Sequence, residues 1–521
     1  MRFTDCRSAQ WENSNIMKKI MIFATLLTIC CALRAAAVQI EVPSEIRLVE
    51  KYRGGVLLSA QMSHGPTPII IMSGTHEDMG RQYGYLLAEQ IAESAKSLLL
   101  DAVVPYGLDE QALRTMAAAV WANMLPFVPG EYQEEIKGVI AGAAEKGVTL
   151  DALDLAIPIV LTNISDMSDK KALLTGMSSA LNLVRFAFTC SAFAAWGPRT
   201  VDGKLLSSRV LDWEPGTGID RFKILAIYKP VDAQGNSLAS YAVAGWAGFI
   251  GAVDGMNEYG VTLSEIGSGN RREKIAGMPW TLMFRQVLEH SQSLDDAVKI
   301  VQDSENTIGY IFLIGDGDAE NFGAPAWSPG AAAIEENADL TAVIYADDPI
   351  DRDAVWIDNQ GQPVLVDGKP VPYGTPLKHA VLRADVAMSP EIRKTQVADN
   401  GPGEEGSDGN PLAGGSYRRR HKSQFDALVA LETGASYNNP YSGAPVFPAA
   451  SGKRLLDPQT ALELAASAAM PESCVITIVY AATDRAMYVS WENLENGKWT
   501  ASFERPFMKV DLMDLIARNA H

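Results

Sequence analysis

T-C-S-A-F-A-A-W-G-P-R-T-V-D-G-K-L-L-S-S-R-V-L-D-W, residues Thr189 to Trp213, reads as a β-hairpin. Ser191 to Trp196 has the pattern of one strand, and Gly197, Pro198, Asp202 and Gly203 supply the turn. Lys204 to Trp213 forms the returning strand. A hairpin sets its two ends side by side, and here the ends carry Cys190, Arg209 and Asp212. A thiol beside a guanidinium and a carboxylate is the setting in which a cysteine becomes a nucleophile. On residue type alone, a free cysteine is more often a small buried hydrophobe.

Upstream, the first residues read as a targeting segment. Met17-Lys18-Lys19 is a basic start, Ile20 to Leu33 an apolar run, and Ala35-Ala36-Ala37 a small-residue cleavage site before Val38. About 14 apolar residues are short for a membrane span. Met17–Ala37 is therefore expected to be a signal peptide that exports the chain to the periplasm or beyond. The 16 residues ahead of Met17 read as lying upstream of the true start, and no other stretch is long and apolar enough to span a bilayer. Removing residues 1–37 leaves two of the five cysteines, Cys190 and Cys474, too few for a disulfide framework. The same cut takes away five basic and two acidic residues and moves the formal charge from −19 to −22. So acidic a chain is poorly suited to nucleic acid or an anionic membrane surface. Apolar content of 47% with 21% charged residues describes an ordinary globular protein.

Between the targeting segment and the hairpin, residues 38–189 divide into two patterns. Val38 to Ser73 carries apolar runs with a Gly54-Gly55 break and suits strands. Thr75-His76-Glu77-Asp78 opens a helix with acids in its first turn, and Leu86 to about Ile164 keeps helical periodicity. His76-Glu77 is not a zinc motif, because Gly80 stands where H-E-x-x-H needs histidine, and His76 reads as structural. Residues 165–180 suit an exposed loop where processing could occur. After the hairpin come further expected strands at Ile224–Tyr228, Tyr241–Ala252, Tyr310–Gly315, Val475–Tyr480, Ala486–Trp491 and Thr500–Phe507. Helices are expected at Trp280–His290, Leu294–Gln302 and residues 455–469. Asp316-Gly317-Asp318 reads as a turn, lacking the remaining ligands of a calcium loop. Residues 397–415 are low in complexity, followed by the basic run Ser416-Tyr417-Arg418-Arg419-Arg420-His421-Lys422.

Cys190-Ser191-Ala192-Phe193, the hairpin and Arg209-Val210-Leu211-Asp212-Trp213 resemble the nucleophile hairpin of N-terminal-nucleophile (Ntn) hydrolases. The branch is that of choloylglycine hydrolase, acid ceramidase and acyl-coenzyme A:6-aminopenicillanate acyltransferase. Val210 stands where that branch usually has Asn, and the turn is a few residues longer than in the choloylglycine hydrolases. The segment around His76 and the turn Asp254-Gly255-Met256-Asn257-Glu258 resemble the same branch. The resemblance implies an α+β fold, a four-layer αββα sandwich preceded by a mainly helical amino-terminal part. It divides the chain into 1–37, removed; 38–189, an alpha fragment; and 190–521, a catalytic beta fragment, the two staying associated. It implies no metal and no cofactor, and a small N-acyl substrate, lipid-like or bile-salt-like.

In this chemistry, cleavage between Thr189 and Cys190 frees an α-amine on the nucleophile itself. That amine ordinarily titrates near pH 8 and can take the thiol proton without a histidine. Arg209 is expected to hold the thiolate and Asp212 to accept from the α-amine. The oxyanion hole is harder to place. The position matching one Asn of the branch falls near Gly267, and the other falls at Ala346-Asp347-Asp348-Pro349 by position or Tyr437-Asn438-Asn439-Pro440 by residue type. Asn257, Asp348 and Arg418 are the supporting candidates, Asn257 reading first as a turn residue. The expected activity is an amidohydrolase that opens a linear C–N bond through an acyl-thioester on Cys190. Other readings are an acyltransferase or phospholipase B-like esterase on the same fold, or an exported binding protein with a decayed site. A cysteine peptidase is a further reading, using His290, His379 or His421 as base.

Overall fold

The computed structural model describes residues 38–100, 110–164, 167, 189–213, 217–324, 329–355, 362–397, 417–438, 445–447 and 452–518. The expected targeting segment, the loop expected over 165–180 apart from Met167, and the low-complexity segment beyond residue 397 lie outside them.

The chain folds as α+β, around two large sheets. The amino-terminal part supplies β1 (Ile40–Glu41), β2 (Ile46–Tyr52), β3 (Gly55–Met62) and β4 (Gly65–Gly74). Among the described residues, five α-helices follow: α1 (His76–Leu86), α2 (Ala88–Leu100), α3 (Glu110–Met124), α4 (Gly130–Glu145) and α5 (Ala152–Ile164). Thr75 caps α1 by accepting from the Asp78 N–H, and the Asp78 side chain answers at the Thr75 N–H. The hairpin strands are β5 (Thr189–Gly197) and β6 (Gly203–Asp212). Beyond them come β7 (Lys223–Pro230), β8 (Tyr241–Trp246), β9 (Asp254–Asn257) and β10 (Val261–Gly267). Helices α6 (Trp280–His290) and α7 (Leu294–Asp303) lead to β11 (Tyr310–Asp316), β12 (Gly330–Glu336) and β13 (Thr341–Tyr345). The remaining large elements are β14 (Ala380–Ala384), α8 (Ser423–Thr433), α9 (Pro458–Ala466), β15 (Cys474–Ala481), β16 (Ala486–Trp491), β17 (Phe507–Asp511) and α10 (Leu512–Ala517).

One sheet has seven strands in the order β1-β17-β16-β15-β6-β5-β14, the other ten in the order β13-β12-β11-β10-β9-β8-β7-β4-β3-β2. They pack face to face, β10, β11 and β12 lying over β5, β6 and β14. α1, α6 and α7 cover the outer face of the ten-stranded sheet, and α9 covers the outer face of the other, with α8 against α9. Strands shielded on both faces need apolar side chains on both, and β11 (Y-I-F-L-I-G) and β15 (C-V-I-T-I-V-Y-A) have them.

Two expected strands differ from those formed. The run from Tyr241 stops at Trp246 rather than Ala252, because Gly248 takes a left-handed φ of 95°. Thr500–Phe507 is interrupted by a single helical turn at Ser502–Glu504, which brings the Ser502 hydroxyl 2.8 Å from Thr477 Oγ1, and β17 starts only at Phe507.

Candidate active site

Cys190 stands at the start of β5, its residue fully buried. In the β5–β6 ladder Cys190 lies opposite Leu211, Ser191 opposite Val210 and Thr189 opposite Asp212. Directly opposed residues share a face and neighbours along a strand alternate. Cys190 therefore points with Leu211 and Arg209 into the space between the sheets, and Asp212 points with Val210 and Ser191 to the other side.

Arg209 lies beside the thiol and crosses to the facing sheet, where Nη2 donates to Glu265 Oε2 at 3.0 Å, both side chains wholly buried. Its Nη1 donates to Val210 O at 3.2 Å. Burial pushes the Cys190 thiol well above its ordinary pKa, and Arg209 opposes that while the Glu265 and Asp385 carboxylates add to it. Burial likewise pushes Asp254 up to about 7. Glu265 is raised to about 7, by burial first and Asp385 next, against the pull of Arg209.

The expected partnership of Asp212 with the Cys190 nitrogen is not what the structure forms. The Cys190 N–H donates to Asp385 Oδ1 at 2.9 Å. Asp385 arrives from the other neighbour of β5: β14 pairs antiparallel with it as far as Ala384 opposite Ser191, and Asp385 follows at the end of that strand. Asp212, on the opposite face, instead pairs with Arg420 and accepts from the Met470 N–H at 3.2 Å. Arg420 Nε lies 3.6 Å from Asp385 Oδ2 and so joins the two carboxylates. Burial raises the Asp212 carboxyl, and Arg420 pulls it back down.

The basic run thus delivers Arg420, from the helical turn Tyr417–Lys422 that packs on β5 and β14. The side chain of Arg418, the residue chosen from that run, lies outside the described residues. Asn257 is spent on its turn. Its amide donates to Leu288 O at 3.2 Å and Ser291 O at 2.8 Å, while its Oδ1 accepts from Tyr259 N and Val261 N. Asp348 caps the short helix Pro349–Asp353 by accepting from the Ile350 N–H at 2.8 Å. Neither is brought to Cys190 by these bonds. Asp385, Arg420 and Glu265 are the members that sequence reasoning missed. For Asp385 the available signal was an Arg and an Asp in the otherwise apolar run A-V-L-R-A-D-V, residues 380–386.

Three of the histidines are engaged elsewhere, and His290 is exposed at the end of α6. His76 Nε2 lies 3.0 Å from Glu289 Oε2 in a buried network. His421 Nε2 meets Thr375 Oγ1 at 2.5 Å, and burial lowers its pKa to about 3. His379 packs edge-on against Trp196 near the hairpin turn. A cavity of about 570 Å³ opens there, lined by Arg199, Lys378, His379, Glu432 and Arg454 among others. It lies at the far end of β5 from Cys190, roughly 26 Å away at strand rise. Among the described residues no cluster of His, Cys, Asp and Glu could hold a metal, and no helix is long and apolar enough to cross a membrane.

Residues 204–341 match the acyl-coenzyme A:6-aminopenicillanic acid acyl-transferase family. The matched stretch holds Arg209, Asp212, the Asn257 turn and Glu265, and stops short of Cys190, Asp385 and Arg420. An uncharacterized protein of Archaeoglobus fulgidus is 24% identical over 294 residues, 53% of this chain and 44% of its own. Protein dcd1B of Dictyostelium discoideum is 24% identical over 312 residues, 57% of this chain and 58% of its own. The chain thus spans about half the length of these curated relatives. Among solved structures, the Caenorhabditis elegans ortholog of N-acylethanolamine-hydrolyzing acid amidase aligns over 56% of this chain and 93% of its own, at 12% identity and a TM-score of 0.32. Penicillin V acylase from Agrobacterium tumefaciens covers 59% and 84%, at 14% identity and a TM-score of 0.28. A mutant conjugated bile acid hydrolase from Clostridium perfringens covers 62% and 93%, at 12% identity and a TM-score of 0.32.

Proposed function

We propose that the chain is an exported cysteine Ntn amidohydrolase that cuts itself between Thr189 and Cys190. It then opens the amide of a small N-acyl substrate through a thioester on Cys190. The observation that carries the reading is the Cys190 nitrogen, held 2.9 Å from a carboxylate, with Arg209 beside the sulfur of the same residue. In the uncut chain that nitrogen is an amide and has no basicity, and burial keeps the thiol protonated. Cutting turns the nitrogen into an amine that can take the thiol proton from the same residue. Arg209 then faces a thiolate, and Glu265 behind it fixes the guanidinium. The acyl-thioester passes to water, or to an amine in an acyltransferase, a second outcome favoured by the family matched over residues 204–341.

The test is intact mass and amino-terminal sequencing of the purified protein, followed by assay on chromogenic N-acyl amides with and without hydroxylamine. Two chains, the second beginning at Cys190, and a hydroxamate product are expected. Cys190→Ala should remain one chain and lose activity. An active wild-type enzyme that runs uncut, or a histidine variant that loses more than about a hundredfold in rate, the scale of a general base, would refute the reading.

A further inference from the structure

We propose that Asp385 is the proton carrier of the self-cleavage step and afterwards the anchor of the Cys190 α-amine; this rests on the nucleophile reading above. The geometry puts one carboxylate beside both atoms that exchange a proton. Asp385 Oδ1 accepts from the Cys190 nitrogen at 2.9 Å. The β14–β5 ladder ends at Ala384 opposite Ser191, and Asp385 follows directly at the end of the strand, next to Cys190. The same carboxylate lies near enough to the thiol for its charge to hold the proton on the sulfur. Asp212 cannot serve here, because it faces the other side of the sheet and is held by Arg420 and the Met470 N–H. Arg420 holds the second oxygen of Asp385 as well, leaving Oδ1 turned to the nitrogen.

The step balances as follows. The Cys190 thiol proton passes to Asp385, the sulfur attacks the Thr189 carbonyl carbon, and an S–C bond forms. The Thr189–Cys190 C–N bond breaks, and Asp385 returns the proton to the departing nitrogen, which becomes an amine. One water then opens the Thr189 thioester, leaving a Thr189 carboxylate and restoring the thiol. The charges facing this centre are Arg209 and Glu265 from the strands β6 and β10, Asp254 from β9, and Arg420 with Asp212 from the helix-covered side. None of them is shown to accept from the Cys190 nitrogen, which is what sets Asp385 apart.

The experiment follows division of the full chain after pulse-labelled cell-free synthesis, read by gel and intact mass. Asp385→Asn should divide at least about a hundredfold more slowly than wild type, and Asp385→Glu within about tenfold of it. An Asp385→Asn chain that melts cooperatively and divides within about threefold of wild type overturns the proposal. Should that variant fail to fold, the mature wild-type enzyme decides. With ¹⁵N-cysteine label, the Cys190 α-nitrogen should titrate above its ordinary pH of about 8, and titration at or below that value overturns the anchor. A wild-type chain that never divides sinks the nucleophile reading and this proposal together. Division of wild type and Asp385→Asn alike sinks only this one.

Discussion

Asp254 has one oxygen satisfied and one not. Its Oδ1 accepts from the Ala244 N–H at 3.0 Å and the Tyr480 hydroxyl at 3.2 Å, while Oδ2 is buried without a hydrogen bond among the described residues. That is a site for a protonated carboxyl, and burial raises its pKa to about 7. Because the folded value lies above the unfolded one near 4, the folded state binds the extra proton between them. Stability from this group is therefore present at low pH and lost as pH rises from about 4 through 7. Asp254→Asn keeps the neutral shape, so its melting temperature should fall less than that of wild type between pH 5 and 8. An equal fall in both would show that Asp254 is not a titrating group. The same scale shows what the sequence could carry. Cys190, Arg209 and Asp212 are spaced by a local hairpin and were legible. Asp385 reaches Cys190 from 195 residues away, through a strand pairing that no local pattern specifies. Even within the hairpin the facing of Asp212 depended on register, since a shift of one residue turns a side chain to the opposite face.

At the scale of elements, α1 packs very closely against α4. Gly80 and Gly84 of α1 lie under the carbonyls of Glu135 and Val139, and Gly138 and Gly142 of α4 under those of Glu77 and Arg81. A Cβ on Gly84 would sit 2.0 Å from Val139 O, a contact that only backbone movement can relieve. Gly84→Ala gains helix propensity, worth up to about 1 kcal/mol in an exposed helix, but overpacking of a close contact costs about 1–3 kcal/mol or more. The cost wins, and the variant should melt lower than wild type; an unchanged or higher melting temperature would refute the contact. The two glycines four apart in G-R-Q-Y-G, Gly80 and Gly84, lie on one helix face and permit close approach. Their partner was not readable, since α4 lies about fifty residues on and its G-V-I-A-G spacing has no unique match in sequence. Helix positions came through well for the same reason that strand ends did not. Periodicity persists over many residues, whereas Trp246 and Phe507 end or begin strands through single turns.

The two halves expected to result from cleavage are not separate bodies. Residues before Thr189 give β2, β3 and β4 to the ten-stranded sheet, and β4 joins β7 in parallel from Ile69–Leu225 to Gly74–Pro230. β1 joins β17 in the other sheet, with Ile40 opposite Phe507. Across the same boundary, Arg285 forks onto Glu135 with bonds of 2.7 and 2.8 Å, and also donates to Glu289 at 3.0 Å. The guanidinium is stacked between Tyr132 at 4.7 Å and Tyr228 at 4.5 Å. His76, whose pKa is raised by its bond to Glu289 despite burial, completes the network. Salt screens exposed charges over about 10 Å at 0.1 M, but buried pairs and backbone ladders far less. The cut chain should therefore elute as one species in 1 M NaCl, without a disulfide, and separate only in denaturant. Arg285→Met leaves Glu135 and Glu289 buried without their cation. Breaking a buried pair this way costs about 3–5 kcal/mol, enough to lower the denaturant midpoint clearly. Fragments that part in salt alone, or an Arg285→Met midpoint equal to wild type, would mean that the shared sheet and the buried network do not hold the halves together.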